Sequence, residues 1–256
     1  MRGLRDKRIV IAGGATGIGA ATAERLAEEG ASVVVGDINL AGARATAERI
    51  GEAGGTAFAV EFDLADGDSI RALVDRAVTE FGGVDGLYNV GADLSPGTIG
   101  RDFDLLEMDP EVWRRTHEVN LLGYAVACRA VLPYLLGQGG GAIVNTSSAA
   151  AWGGEPARPA YAASKAGVNA LTRHISSRWG KEGVRCNAVA PGPVVTEALG
   201  RTLDEQTQAE VLGIVRSPRL GKPDDLAGTV AFLLSDDAEW INGQTWSICG
   251  GSSLRE

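Results

Sequence analysis

The fold is decided by the stretch RIVIAGGATGIG, residues 8–19, in which a short apolar run passes directly into a glycine-rich turn. Residues 8–12 have the composition of a buried strand, and the alanine-rich residues after Gly19 have the spacing of a helix. Glycine in such a turn lets the backbone approach an anion, and the helix N-terminus offers amides to a phosphate. A plain, tightly packed strand-to-helix turn has the same local appearance, so the rest of the chain must decide between the two.

Apolar, strand-like runs alternate with helix-period segments along the whole chain. The predicted strands are residues 8–12, 32–36, 56–60, 86–90, 142–146, 184–189 and 245–248. The predicted helices are residues 17–29, 40–52, 69–81, 110–136, 157–179 and 223–234. This alternation predicts an α/β fold: a doubly wound, Rossmann-type, seven-stranded parallel sheet with helices on both faces, in a single domain over residues 1–256.

Two long irregular stretches, residues 91–109 and 191–205, each follow a predicted strand. In doubly wound sheets, ligands bind at the carboxyl ends of the strands. We therefore expect the functional site to include these loops.

Composition limits the classes of partner. The chain has 24 Lys and Arg against 33 Asp and Glu, a net charge of −9, and its basic residues are scattered rather than gathered in a stripe. This distribution argues against nucleic acid as a partner. We expect no predominantly apolar stretch of eighteen residues that could span a membrane, and the N-terminus lacks the apolar core of a signal peptide. The expected location is the cytoplasm.

Cysteine and histidine are too sparse and too dispersed for a metal site or a disulfide scaffold. The three cysteines, Cys128, Cys186 and Cys249, form no CxxC pair, and the chain has only two histidines, His117 and His174. We expect no metal and interpret the cysteines as small buried hydrophobic residues rather than nucleophiles.

Two aspartates follow predicted strands where a nucleotide could be bound. Asp37 lies 18 residues after Gly19, where a carboxylate can accept hydrogen bonds from ribose hydroxyls. The alternative for Asp37 is a solvated surface residue. Asp63 follows the third strand and could contact the adenine edge, or it could be the N-cap of the next helix.

Tyr161 and Lys165 are four residues apart on a predicted helix, which places the phenol and the ammonium on one face. A cation at that spacing stabilises a phenolate and lowers the tyrosine pKa, as an acid/base for an alcohol or carbonyl requires. Taken alone, this spacing is common and usually marks a solvated helix face.

Together these residues resemble the short-chain dehydrogenase/reductase family over nearly the whole chain. The glycine loop matches that family's TGxxxGxG pattern with Ala12 in place of threonine, Asn120 matches its active-site asparagine, and Ser148, 13 residues before Tyr161, matches its catalytic serine. Residues 191–196 are similar to the segment that flanks the nicotinamide, and residues 242–244 and 250–251 are similar to the family's closing strand.

The resemblance implies a set of site residues. The catalytic residues would be Asn120, Ser148, Tyr161 and Lys165. The cofactor contacts would be Gly13, Thr16, Gly17, Ile18, Gly19, Asp37, Asp63, Leu64, Asn89, Gly91, Tyr161, Lys165, Pro191, Gly192, Val194 and Thr196.

The chain also departs from the family pattern. The family's NNAG is Asn89-Val90-Gly91-Ala92 here, which we expect to alter backbone bracing near the adenosine rather than the chemistry. Ala12 in place of threonine removes one hydroxyl hydrogen bond, worth about 1 kcal/mol. Cys249 stands where an aspartate is frequent, and nothing in the sequence gives it a function.

The implied activity is hydride transfer between NAD and a secondary alcohol or ketone. Tyr161 would be the general acid/base, Lys165 would lower its pKa and hold the nicotinamide ribose, and Ser148 would orient the substrate oxygen. Asn120 would belong to a water-linked proton path that ends at Lys165. The resemblance also implies a homo-oligomer, either a tetramer or a dimer, in which the helices over residues 110–136 and 157–179 pack across a two-fold axis.

Two other functions remain open at this stage. One is an NADPH-dependent 3-oxoacyl-type ketoreductase, although such enzymes tend to carry basic residues where this chain has Thr16 and Asp37. The other is a non-catalytic dinucleotide-binding regulator, although such a chain is expected to have lost the serine, tyrosine or lysine. Asp93, Trp152, Glu155 and a mobile-looking segment, residues 194–215, should surround the substrate, unless they serve loop structure or a subunit contact.

Overall fold

The computed structural model, which describes residues 1–196 and 204–254, contains one sheet of seven parallel strands. The strands are β1 (Arg8–Ala12), β2 (Ser32–Asp37), β3 (Thr56–Glu61), β4 (Gly86–Asn89), β5 (Gly141–Thr146), β6 (Val184–Pro191) and β7 (Thr245–Ile248). Their spatial order is β3-β2-β1-β4-β5-β6-β7, so the direction of winding reverses between β1 and β4. The predicted doubly wound fold is confirmed, and the crevice beyond the carboxyl ends of β1 and β4 is the expected ligand position.

Nine α-helices are described outside residues 197–203. They are α1 (Gly17–Glu28), α2 (Leu40–Glu52), α3 (Gly67–Phe81), α4 (Pro110–His117), α5 (Gly123–Gly137), α6 (Ala150–Gly153), α7 (Pro159–Trp179), α8 (Glu205–Ile214) and α9 (Pro223–Leu234). Helices α1, α2 and α9 supply apolar side chains to the core on one face of the sheet, and α3, α5 and α7 supply them on the other. The central strands are buried on both faces, as a parallel sheet covered by helices requires.

The predicted helix over residues 110–136 is interrupted. Helices α4 and α5 are joined by a π-helical turn, Glu118–Leu122, which contains Asn120. A π-turn inserts an extra residue into the helical hydrogen-bond pattern and is frequent at functional sites. Hydrophobic periodicity continues through such a turn, so the sequence alone does not reveal it.

The predicted start of the helix over residues 157–179 is two residues too early. Helix α7 begins at Pro159, and Arg158 before it has a left-handed backbone with φ = 64°. A residue that precedes proline is disfavoured in the helical conformation, and this explains the later start.

Part of the region after β6 that was interpreted as mobile is helical. Residues 205–214 of the stretch interpreted as mobile form α8, which Asp204 caps by accepting a hydrogen bond from the Thr207 amide. Val194 forms an isolated parallel bridge with Gly221. The other part of the prediction, residues 197–203, lies outside the described residues.

One expectation about apolar stretches is wrong. The combined helical segment Pro110–Gly137 is long and apolar enough to cross a membrane by length and composition. Half of the qualifying window is buried inside the protein, where Val131 and Leu135 belong to the core beside the sheet. A core helix passes the same test, so this segment is weak evidence for a membrane span.

Candidate active site

The glycine loop between β1 and α1 is held by close backbone contacts. Gly13 has φ = 110°, and a Cβ atom there would lie 2.3 Å from the amide nitrogen of Gly91. A Cβ atom on Gly19 would lie 1.9 Å from the Gly13 carbonyl oxygen. Side chains at these two positions would displace backbone, so glycine is required for the loop to pack against the end of β4 and the first turn of α1.

The N-terminus of α1 has no side-chain cap. Its N-cap, Thr16, has an exposed side chain that makes no capping hydrogen bond, and Gly17 at the first helical position has φ = 55°. Uncapped amides at a helix N-terminus are an anion-binding arrangement. Ile18 is only partly buried beside them, and the loop therefore fits the pyrophosphate of a dinucleotide.

Asp37 is the last residue of β2, one position beyond the predicted end of that strand. Its Oδ2 accepts a hydrogen bond from the Ala15 amide over 2.9 Å, and its Oδ1 accepts one from the Asn39 amide over 2.9 Å. The carboxylate is half-buried and therefore oriented rather than freely solvated. It can still accept hydrogen bonds from ribose hydroxyls, because each carboxylate oxygen has two lone pairs.

Several predicted cofactor residues converge around this loop. A Cβ atom on Gly91 would meet Leu64 at 2.9 Å and Gly13 at 3.4 Å, so the ends of β1, β3 and β4 are in contact. A Cβ atom on Gly17 would meet the methyl group of Thr196 at 3.0 Å, which places the segment after β6 over the glycine loop.

The same segment is packed at its other positions. A Cβ atom on Gly192, which follows Pro191, would lie 2.6 Å from Cα of Cys249. The Val194 side chain is buried, and its cofactor contact stays a prediction.

Two predicted cofactor residues make structural contacts of their own. The Asn89 side chain is fully buried in the core, where its Nδ2 donates to Asn145 Oδ1 over 2.9 Å and its Oδ1 has no hydrogen-bond partner among the described residues; its cofactor contact stays a prediction. Asp63 is not the N-cap of α3, because Asp66 accepts from the Asp68 amide in that role. Asp63 instead accepts from the Ala65 amide over 2.8 Å in a turn, and its adenine contact stays a prediction.

Ser148 and Tyr161 lie together beyond the carboxyl end of β5. Ser148 is two residues past the last residue of that strand, its hydroxyl accepts from the Ala150 amide over 3.2 Å, and Tyr161 lies in the first turn of α7. Burial raises the pKa of Tyr161, and a hydrogen bond with the Ser148 side chain opposes that rise. The two hydroxyl groups form a pair that can hold one substrate oxygen.

Lys165 is buried beneath this pair. Its Nζ donates to the Thr146 carbonyl oxygen over 2.8 Å, lies 3.5 Å from the Tyr124 hydroxyl and lies 5.8 Å from the centroid of the Tyr161 ring. Burial lowers the pKa of Lys165 to about 7, because the protein interior disfavours the charged form.

The expected lowering of the Tyr161 pKa by Lys165 is not what this arrangement produces. The net pKa shift of Tyr161 is upward, since burial outweighs the favourable contacts. Sequence spacing places the two residues on one face of α7, but it does not reveal how strongly either is desolvated.

Asn120 lies in the π-turn, where it is fully buried. Its Oδ1 accepts from the Asp93 amide over 3.0 Å, while its Nδ2 has no hydrogen-bond partner among the described residues. A buried amide donor without a partner is uncommon and suits a bound water or ligand atom.

The three side chains expected around a substrate are engaged in structural contacts. Asp93 accepts from the Ser95 amide, the Thr98 hydroxyl and Arg115 Nε. The indole of Trp152 donates to Ser253 Oγ over 3.1 Å, which ties α6 to the C-terminal tail, and Glu155 pairs with Arg158. These bonds favour a role in loop structure, which is one of the two alternatives to a substrate contact given above for these three residues.

Sequence reasoning missed Asp102. This buried residue lies in the loop between β4 and α4, and its carboxylate accepts hydrogen bonds from the amides of Ala160 and Tyr161 over 3.1 and 2.8 Å. The one signal in the sequence is the absence of a capping residue at Arg158 before Pro159, which means that α7 must be capped from elsewhere.

The cysteines are buried, as predicted. Burial raises the pKa of the Cys128 thiol to about 12 and the pKa of Cys186 well above its ordinary value, so neither is a ready nucleophile. Within residues 1–196 and 204–254, no group of three or more His, Cys, Asp and Glu side chains could hold a metal ion.

The chain matches the family model described as "Enoyl-(Acyl carrier protein) reductase" over residues 13–253. It is 44% identical to a probable short-chain type dehydrogenase/reductase of Bradyrhizobium diazoefficiens over 247 residues, which cover 96% of this chain and 86% of that protein. It is 39% identical to the cis-4-hydroxycyclohexanecarboxylate dehydrogenase of Sinomonas cyclohexanicum over 246 residues, which cover 96% of each chain.

A solved structure has nearly the same fold. It is 7α-hydroxysteroid dehydrogenase in complex with NADH and 7-oxo glycochenodeoxycholic acid, which superposes with a TM-score of 0.88 at 32% identity and covers 98% of each chain.

Proposed function

Because the chain belongs to the short-chain dehydrogenase/reductase family of oxidoreductases, we propose that it interconverts a secondary alcohol and a ketone with NAD as its cofactor. The observation that carries this proposal is the grouping of Ser148, Tyr161 and Lys165 beyond β5. A nicotinamide dinucleotide supplies the hydride acceptor or donor for such a reaction, and the uncapped start of α1 and the orphaned Asn120 amide fit such a ligand.

The roles of the side chains follow from their chemistry. In oxidation, the Tyr161 phenolate oxygen takes the proton of the substrate hydroxyl while the carbon that bears this hydroxyl gives up its hydride, which a bound oxidised nicotinamide would accept. In reduction, the Tyr161 hydroxyl returns that proton to the carbonyl oxygen. The Ser148 hydroxyl donates a hydrogen bond to the substrate oxygen and stabilises its developing charge.

Lys165 and Asn120 support these proton transfers. Lys165, held at the Thr146 carbonyl, can donate a hydrogen bond to a ribose hydroxyl. Where a bound cofactor keeps Lys165 charged, that charge would offset part of the burial that raises the pKa of Tyr161. The unpartnered Nδ2 of Asn120 can donate to a water molecule on a proton path toward Lys165.

Asp37 supports NAD over NADP. Backbone amides on two sides orient its carboxylate at the end of β2. A 2′-phosphate on the adenosine ribose would be brought against this negative charge, and like-charge contacts of this kind cost several kcal/mol.

For the substrate, we propose a cyclic secondary alcohol or its ketone. Among the proteins to which this chain is similar, one is named for a hydroxycyclohexane carboxylate and one for a hydroxysteroid, and both names describe a hydroxyl group on a saturated ring. The 7-oxo steroid in that solved structure is the corresponding ketone.

A reductase of acyl thioesters is the second candidate, since the matched family model is named for an acyl carrier protein substrate and the chain is also similar to 3-oxoacyl-[acyl-carrier-protein] reductases. An NADPH-dependent enzyme of that kind would need a cation near the 2′-phosphate, whereas this chain has an exposed Thr16 and an acidic Asp37 there. The charge at this position favours the alcohol dehydrogenase.

Nicotinamide absorbance, followed with both cofactors, tests the proposal. The panel should hold cyclic secondary alcohols, their ketones and a 3-oxoacyl thioester. We expect turnover of a ring alcohol with NAD. Turnover of the thioester with NADPH alone would support the second candidate, and tight cofactor binding without any turnover would support a regulator.

We also propose a cytoplasmic homotetramer or homodimer. The chain exposes apolar side chains on the α4–α5 segment, among them Leu122 and Tyr134, in the region expected to pack across a two-fold axis. Sedimentation should show an oligomer at micromolar concentration, and a stable monomer would contradict this.

A further inference from the structure

Helix α7 lacks a cap of its own. Its N-cap position is Arg158, whose side chain makes no capping hydrogen bond and whose backbone is left-handed. Pro159 follows at the first helical position and has no amide hydrogen to donate. The first free amides of the helix are those of Ala160 and Tyr161, and Tyr161 is also the proposed acid/base.

Asp102 supplies the missing cap from a different part of the chain. Its carboxylate oxygens accept from Ala160 N over 3.1 Å and from Tyr161 N over 2.8 Å, and its carbonyl oxygen accepts from Arg158 N over 2.9 Å. Thus, one residue of the β4–α4 loop receives three hydrogen bonds from three of the four residues 158–161 at the start of α7.

Asp102 and the three backbone amides that donate to it form a buried clamp. Asp102 is only 4% exposed, and Ala160 is fully buried. A carboxylate at a helix N-terminus is also stabilised by the helix dipole, so it binds these amides more strongly than a neutral acceptor would.

The clamp acts on the backbone of a proposed catalytic residue. Tyr161 donates to Asp102 through its own amide, so Asp102 directly constrains the Tyr161 backbone. The other end of the same loop contains Asp93, whose amide donates to Asn120. The β4–α4 loop therefore joins two of the proposed catalytic residues.

We propose that Asp102 is a positioning residue that sets the place of the Tyr161 phenol relative to Ser148. This inference rests on the proposed function, because it concerns the step in which Tyr161 moves a proton. A displacement of about 1 Å in a reacting group can lower a rate about 10²-fold.

The test compares Asp102→Ala with Asp66→Ala. Asp66 also caps a helix with its carboxylate, but it does so at α3, a helix that contains none of the proposed catalytic residues. For Asp102→Ala we expect kcat to fall at least about tenfold, with KM for the cofactor changed less than about twofold. For Asp66→Ala we expect a loss of stability at unchanged kcat. Equal losses of kcat in the two variants, or a retained kcat in Asp102→Ala, would overturn the proposal.

A conservative variant covers the case in which Asp102→Ala does not fold. Asp102→Asn keeps one acceptor oxygen and places an amide donor against the second backbone donor, so it should be folded with a kcat between those of wild type and the alanine variant. A wild-type kcat in Asp102→Asn would overturn the proposal.

Hydrogen exchange separates this inference from the proposed function. The amides of Ala160 and Tyr161 should exchange faster in either Asp102 variant than in wild type, whatever reaction the protein catalyses. If wild type turns over no alcohol or ketone, the proposed function fails and the clamp is judged by exchange alone. Unchanged exchange would then refute the clamp.

Discussion

The Asp37 carboxylate accepts a hydrogen bond of 2.9 Å from the amide of Ala15, so the residue that ends β2 also holds the glycine loop that follows β1. A second bond from the Asn39 amide keeps the carboxylate oriented at this place. Asp37 therefore has two separable effects: its charge acts on the ribose of a dinucleotide, and its hydrogen bonds shape the loop that receives the phosphates.

The first prediction concerns cofactor choice. Wild type should prefer NAD over NADP by at least about 10²-fold in kcat/KM, because a like-charge contact costs several kcal/mol. Asp37→Ala should narrow this gap, mainly by weakening NAD. Asp75→Asn removes the same charge from the exposed face of α3 and should leave the ratio unchanged. Similar kcat/KM values for both cofactors in wild type would refute the assignment.

The second prediction concerns Tyr161. Replacing it with phenylalanine should lower kcat by about 10²-fold or more, because a general acid/base contributes about 10²–10⁴. Cofactor affinity, measured by nicotinamide fluorescence, should change little. Tyr134→Phe removes a hydroxyl from an exposed position on α5 and should behave as wild type. If Tyr161→Phe kept most of the turnover, the acid/base would have to be another group.

The pH profile of oxidation should follow the same residue. Burial raises the pKa of Tyr161, and oxidation needs the phenolate, so kcat should increase as the pH rises into the alkaline range. Reduction needs the protonated phenol and should be favoured at lower pH. In Tyr161→Phe, the residual rate should lose this dependence. An oxidation rate that falls steadily as the pH rises from neutrality would contradict the role of Tyr161.

The third prediction concerns the stability cost of Lys165. Its pKa is about 7 in the folded protein against an ordinary value of 10.5, so between these two pH values the unfolded chain binds more protons. The free-energy penalty for burying the charged Lys165 side chain is complete below about pH 7 and is relieved as the pH rises. The change in the free energy of unfolding caused by Lys165→Met should therefore be about 2 kcal/mol more favourable near pH 6 than near pH 9.

Urea unfolding at the two pH values measures this difference. Lys181→Met is the control, because Lys181 is exposed and its replacement should have a small, pH-independent effect. A Lys165→Met effect that is equal at both pH values would mean that Lys165 does not titrate as proposed.

The fourth prediction concerns an ion pair at the opposite end of the sheet. Arg8 Nε and Nη2 donate to the Asp85 carboxylate over 2.6 and 2.8 Å, and the Arg8 amide donates to it over 2.8 Å. Burial alone would raise the pKa of Asp85, but the hydrogen bonds and charge of Arg8 leave it lowered.

A carboxylate with a lowered pKa stabilises the fold at neutral pH and loses that contribution as the pH falls through its folded value. Asp85→Asn should cost about 1–3 kcal/mol near pH 7, and this cost should shrink as the acid pH falls through the lowered folded pKa of Asp85. Asp68→Asn breaks the exposed pair with Arg71 and should cost at most about 0.5 kcal/mol at either pH. A cost for Asp85→Asn that does not shrink in acid would refute the charge-based explanation.

The local pattern of the sequence determined the strands, the glycine loop and the face that Tyr161 shares with Lys165. Each of these depends on residues close together in the chain: two-residue alternation or an apolar run for β1, glycines a few residues apart in the turn, and a spacing of four on α7. Asp37 was also predicted from local information, because the end of the apolar run before it can be recognised without reference to the other strands.

Only the tertiary structure decided the π-turn at Asn120, the cap of α7 by Asp102 and the direction of the Tyr161 pKa. Asp102 and Tyr161 are 59 positions apart, and no periodic pattern connects two residues at that distance. The pKa of Tyr161 depends on how completely neighbouring elements remove water from the phenol, and the sequence pattern contains only the nearby cation. Desolvation of the Tyr161 phenol and capping of α7 by a distant residue both depend on packed elements, so they arise only when the loop after β4 packs against helix α7.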